Sequence, residues 1–192
     1  MEPPAAVFFY DYVDPLAYLV ERELAHAGPP GAPPAVRRVP LELRPPPAPL
    51  LDPDAPEWRT RWDAALEEAS RHGIRLAEPA LLPWTRKAHE LVLHAASAGV
   101  GEAAHRAVFD AVFLNGRDVG RVDVLVALAR ELGLDAREAR VVLDVDRYAE
   151  DVIAGRAEAA AAGVAASPAL ASAHGTLQGF HNRDALRTFL LR

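Results

Sequence analysis

Cysteine is absent from all 192 residues. That excludes disulfides, cysteine-ligated zinc, iron–sulfur clusters and any thiol nucleophile of the chain's own. Lysine is nearly absent as well: Lys87 is the one lysine, and every other basic side chain is an arginine. Side-chain amides are confined to Asn115, Gln178 and Asn182. A GC-rich coding bias is sufficient to produce this pattern, and growth temperature stays open. A heat-adapted host also thins out amides and cysteines, but it enriches lysine, and the lone lysine runs against that. No run of about 20 apolar residues is present to span a membrane. Residues 1–6 carry no basic leader ahead of a long apolar run, so no secretory signal is read and the cytoplasm is the expected location. With 21 basic against 27 acidic side chains the formal charge is −6, and no basic stripe offsets it. Nucleic acid and anionic membranes are therefore not expected partners.

What remains is the composition of an ordinary folded domain, 51% hydrophobic and 25% charged, able to bury a core without staples. The run Val7-Phe8-Phe9-Tyr10 reads as a buried strand. Asp14 followed by Pro15 marks a helix start, with Leu16, Leu19, Val20 and Leu24 at helical spacing and Gly28 and the prolines at 29 and 30 to close it. Val39, Leu41 and Leu43 alternate with Pro40 and Glu42, predicting a second strand in which Pro40 favours an edge or an end. Strand, helix, strand makes a βαβ unit.

A proline-rich connector over residues 44–56 leads into an almost wholly helical stretch. Its apolar stripes begin with Trp58, Trp62, Leu66 and Ala69, continue with Ala88, Leu91, Val92 and Ala95, and then with Val108, Phe109, Val112 and Phe113. Val124, Leu125, Leu128 and Leu132 form the next, Asp135 opens a short helix, and an alanine-rich helix runs to Gly163. These five or six helices form an all-helical insertion. Beyond it, residues 169–171, a turn at His174-Gly175 and residues 177–180 predict a hairpin, and Asn182 caps a last helix carrying Leu186, Phe189 and Leu190. The predicted fold class is α/β: a thioredoxin fold, βαβ then ββα, built from residues 1–55 and 164–192, with 56–163 as the inserted helical domain.

Several stretches together resemble the DsbA-like thioredoxin-fold family, most closely its FrnE-type branch, with the glutathione-dependent 2-hydroxychromene-2-carboxylate isomerases as cousins. They are Phe9-Tyr10-Asp11 leading to Asp14-Pro15-Leu16-Ala17-Tyr18-Leu19, Leu41-Glu42-Leu43-Arg44-Pro45, Thr85-Arg86-Lys87-Ala88-His89-Glu90-Leu91, Val108 to Phe113, Gly116 to Val119 and Gly163 to Pro168. The resemblance runs nearly end to end. It implies a redox motif C-P-x-C at the helix start, where a thiolate gains from amide donors and the positive helix end. Here the motif reads Asp14-Pro15-Leu16-Ala17. Disulfide exchange proceeds through thiolate attack, so this chain alone cannot perform it. The resemblance further makes Pro168, preceded by Ser167, the proline that faces the active site, usually in the cis form. The small residues 169–172 imply a more open groove beside it.

The resemblance thus implies a ligand groove formed by Asp11, Tyr12, Asp14, Leu16, Ala17, His89, Ser167 and Pro168. Asp14 stands either as a general base with Asp11 nearby, or as a helix N-cap worth about 1 kcal/mol. Asp11 alternatively satisfies loop amides, and Tyr10, Tyr12 and Tyr18 line a pocket or belong to the core. No cofactor is required. Glutathione is the alternative, because the isomerase cousins hold its thiol over the helix start. Against that, two negative charges about 4 Å apart at an effective dielectric near 20 repel by roughly 4 kcal/mol, on the order of 3 pKa units. His89-Glu90-Leu91-Val92-Leu93-His94 nearly matches a zinc motif, but five residues turn a helix by about 500°, leaving the histidines roughly 140° apart. No metal site is expected. Three functions remain in view: non-redox binding of a small molecule or peptide, a glutathione-dependent isomerase or transferase using Asp14 as acid or base, and a scaffold whose Trp58, Trp62 and neighbouring prolines serve a homodimer or partner contact.

Overall fold

The strand-forming run Val7 to Tyr10, with Ala6 ahead of it, needs apolar cover on both faces, and a central strand supplies it. In the computed structural model, which describes residues 6–28 and 35–191, this segment is β1 (Ala6–Tyr10). It is followed by α1 (Pro15–Leu24), β2 (Val36–Pro40), α2 (Pro56–Arg71), α3 (Arg86–Ser97), α4 (Gly101–Phe113), α5 (Val122–Glu131), α6 (Ala136–Asp144), α7 (Ala149–Ala161), β3 (Ala169–Ser172), β4 (Gly175–Gln178) and α8 (Arg183–Leu190). The strands form one sheet in the order β2-β1-β3-β4. β1 runs parallel to β2, from Ala6 opposite Val36 to Tyr10 opposite Pro40, and antiparallel to β3, with Phe9 opposite Ala169. β3 and β4 form an antiparallel hairpin. The prolines at 29 and 30 lie outside the described residues.

The chain divides into two compact units, residues 1–43 with 154–192, and residues 44–153. Both divisions fall earlier in the chain than the seams expected at 55/56 and 163/164. The second does so because α7 is divided between the units: its residues from 154 onward group with the sheet. There Ala159 joins Phe9, Val39, Leu41, Val164, Ala169 and Ala171 in one apolar cluster. Alternation along β1 turns Phe8 and Tyr10 to the opposite face, where their rings stack at 5.6 Å. α1 packs with α8, and the Glu23 carboxylate accepts the Arg183 amide at 2.8 Å, supporting the α8 start that Asn182 also caps.

Two strand boundaries differ from the sequence expectation. β2 covers Val36 to Pro40 rather than extending to Leu43. Leu41 donates one more bond to the Tyr10 carbonyl, at 2.8 Å, after which the chain leaves the sheet, so the burial of Leu41 is that of a strand exit. β4 ends at Gln178 rather than Phe180, because Gly179 takes a φ of +83° that breaks the extended run.

The helical unit holds an aromatic file. Trp58 stacks on Trp62 at 6.4 Å, Trp62 on Phe113 at 6.3 Å and Phe113 on Phe109 at 6.3 Å, with His105 edge-on to Phe109 at 5.1 Å. Trp58 and Trp62 are buried, so they serve the core and offer no surface for the partner contact expected of them. Lys87 on α3 bonds the Leu143 carbonyl at the end of α6. It also donates to Asp146 at 2.6 Å and pairs with the fully buried Glu90 at 3.1 Å. Glu90 in turn accepts the Tyr148 amide at 3.0 Å. Burial pulls the Lys87 ammonium down, but hydrogen bonds to Asp146 and Glu90 outweigh it and hold the pKa above its ordinary value.

α7 lies flush against the end of β2. A Cβ built on Gly155 would stand 2.1 Å from the Pro40 carbonyl oxygen. Alanine improves helix propensity by about 0.5–1 kcal/mol, whereas overpacking against fixed backbone costs about 1–3 kcal/mol. Gly155→Ala is therefore expected to lower unfolding stability by about 1–2 kcal/mol in urea titration; a stabilised variant would contradict this close approach.

Candidate functional site

After Tyr10 the chain turns through Asp11, Tyr12 and Val13, with the Asp14 amide donating to the Asp11 carbonyl at 3.1 Å. Asp14 is extended, at φ −89° and ψ 107°, and Pro15 starts α1 behind it. That is the geometry of an N-cap, and the carboxylate fills the role: Oδ1 accepts the Leu16 amide at 3.1 Å. Oδ2 accepts the Ser167 hydroxyl at 2.6 Å, a charge-assisted length. The same Ser167 Oγ accepts the Asp11 amide at 3.2 Å, and Asp11 Oδ2 accepts the Leu43 amide at 2.6 Å.

One continuous hydrogen-bond chain thus joins Leu43, Asp11, Ser167, Asp14 and Leu16. It ties together three loops that are far apart in sequence: the turn into α1, the exit from β2 and the approach to β3. The Ser167–Pro168 peptide is cis, and the Pro168 carbonyl accepts the Gly179 amide at 2.8 Å. Tyr12 sits beneath the turn, its hydroxyl 3.2 Å from that of Tyr10, with the two rings edge-on at 5.1 Å. Burial pushes both phenols well above their usual range, so neither supplies a phenolate. Tyr18 is buried too and accepts from Arg22 at 3.2 Å. All three tyrosines are core residues.

Of the eight expected groove residues, seven lie in the sheet unit. Among these, Asp11, Asp14, Ser167 and the backbone of Leu16 are joined directly by the hydrogen-bond chain, and Ala17 and Pro168 neighbour it in sequence. His89 lies on α3 of the helical unit and is buried, as is His94. No group of three or more His, Asp or Glu side chains is placed to hold a metal ion among the described residues. Of the eight, Leu16 alone keeps part of its surface; the rest are buried, Asp14 at 0% exposure. Ala169 and Ala171 are buried within the sheet cluster, their small side chains taken up by close packing.

The bond between Ser167 and Asp14 spans 153 positions and leaves no local signature. Neither does the use of the Leu43 amide by Asp11. The signal that reached Ser167 was its place before Pro168 in the resemblance.

Comparison with known proteins matches the DSBA-like thioredoxin domain over residues 6–190. The chain is 32% identical over 151 residues to the uncharacterised protein YwbO of Bacillus subtilis, covering 73% of this chain and 75% of that one. In structure it resembles a probable DsbA oxidoreductase from Streptomyces coelicolor, with a TM-score of 0.79 at 23% identity over 96% of this chain and 87% of that one. It also resembles a 2-hydroxychromene-2-carboxylate isomerase, with a TM-score of 0.69 at 20% identity over 97% and 91%.

Ser167→Ala removes the donor to Asp14 Oδ2 and the acceptor of the Asp11 amide. Unmade buried bonds of this kind cost about 1–3 kcal/mol, which urea unfolding should show. Asp14→Asn keeps an acceptor for the Leu16 amide and is expected to cost less than Ser167→Ala. A larger loss for Asp14→Asn would mean that the carboxylate carries more than these bonds.

Proposed function

We propose that the chain, which belongs to the DsbA-like thioredoxin domain family, works without redox chemistry and binds a small molecule or a peptide beside the start of α1. The supporting observation is the state of Asp14. It occupies the position where the resemblance implies the attacking thiol, it is wholly enclosed, and its two oxygens already accept from the Leu16 amide and the Ser167 hydroxyl. A general base has to reach the proton of a substrate, and Asp14 is enclosed, facing the hydroxyl of Ser167, which is itself buried. The partly exposed Leu16 side chain gives the helix start an apolar contact surface. We assign the protein to the cytoplasm on the same grounds, since a cysteine-free chain gains nothing from an oxidising compartment.

Calorimetric titration with reduced glutathione tests the cosubstrate alternative. No heat is expected, because a thiolate placed over Asp14 meets its charge at short range. Binding in the low-millimolar range or tighter would replace the present reading with a glutathione-dependent one.

The double substitution Asp14→Cys with Ala17→Cys tests the placement of the motif. Titration of the oxidised, denatured protein is expected to find both introduced thiols consumed, with insulin reduction rising above the wild-type background. A folded double variant that keeps two free thiols would show that these positions do not correspond to the family's redox pair.

A further inference from the structure

We propose that β4 is a docking edge for a second copy of this chain. The sheet order leaves β2 and β4 at its margins, and the two are built differently. β2 carries the usual protection of a sheet edge. Arg38 is paired with Glu21 at 2.6 Å, Arg37 is paired with Glu158, Pro40 closes the strand, and α7 lies against its end at Gly155. β4 reads Gly175-Thr176-Leu177-Gln178, without charge or proline, and Gly175, Thr176 and Gln178 are exposed.

The hairpin register fixes which groups point outward. Hydrogen-bonded and non-hydrogen-bonded pairs alternate along an antiparallel ladder. The Gly179 amide bonds the Pro168 carbonyl at 2.8 Å, so by alternation the pairs Leu170 with Leu177 and Ser172 with Gly175 are the bonded ones. Thr176 and Gln178 therefore turn their amides and carbonyls away from β3. The Gln178 carbonyl lies 3.1 Å from the half-buried His181 ring and keeps a second lone pair.

These outward groups complement themselves. With a two-fold axis through Leu177, Thr176 faces Gln178 of the partner subunit and Gln178 faces the partner's Thr176, making four backbone hydrogen bonds. Leu177 then faces the partner's Leu177 in the non-bonded position, where opposed side chains approach most closely. One patch serves both copies, as an isologous contact requires. In a chain of net charge −6, this uncharged strand faces its own copy with no like charges opposed. A four-residue pairing is small beside a stable interface of about 1,200–2,000 Å², so the association belongs to the weak, concentration-dependent class. The inference is independent of the thiol-free reading.

Sedimentation equilibrium of the full chain at rising concentration is the test. The wild-type mass is expected to climb from the 20.7 kDa of one chain toward twice that value. Thr176→Pro deletes an outward amide that the β3 ladder does not use, a change an edge strand tolerates, and should hold the mass at one chain with an unchanged melting curve. If that variant fails to fold, Leu177→Lys and Leu177→Glu decide: each alone stays monomeric, and their mixture associates. A wild type that is monomeric throughout, even if it binds an extended peptide, overturns the proposal. So do substituted chains that associate as the wild type does, or a mixture that stays monomeric.

Discussion

Everything at the start of α1 hangs on a single hydroxyl. Ser167 Oγ donates to Asp14 and accepts from the Asp11 amide, so one small side chain satisfies a buried carboxylate and a buried amide together. Because Asp11 also holds the Leu43 amide, the exit of β2 is coupled to the entry of β3 through the turn between them. In a low-dielectric interior such a chain is favourable only when every member is satisfied. The site is consequently a closed tie between loops, and whatever the protein does, it does around that tie.

The substitution of a carboxylate for a sulfur at a helix start has a wider meaning. Amide donors and the helix dipole favour negative charge there, whether it is carried by a thiolate, a bound anion or an aspartate. In this chain the protein supplies the anion itself. The same field that would activate a thiolate is spent on holding α1 in place, and an incoming anion finds the Leu16 amide already engaged by Asp14.

Local patterns in the sequence carried most of the architecture. Asp14-Pro15, Asp135 and Asn182 each announced a helix start, and each side chain caps in the structure. The strand limits were harder to read. Val39, Leu41 and Leu43 alternate whether or not the last two belong to a sheet, and only the bond from the Leu43 amide to Asp11 shows that the chain has departed. Trp58 and Trp62 carried the helical stripe correctly, but a stripe does not say whether its far side meets solvent or other rings. The Asp14–Ser167 pair was legible only as two ends of a resemblance, because contacts formed across the whole insertion leave no spacing to read.

The position of Lys87 limits how this protein can be modified. It is the one lysine, and its ammonium is held by a backbone carbonyl and two carboxylates, so the sole side-chain amine is committed to joining α3 to the segment after α6. Acylation there would remove the charge that faces buried Glu90, loosening the helical unit from within. Labels and tags attached at Lys87 therefore act on this fold as structural lesions, and arginine carries nearly all of its exposed positive charge.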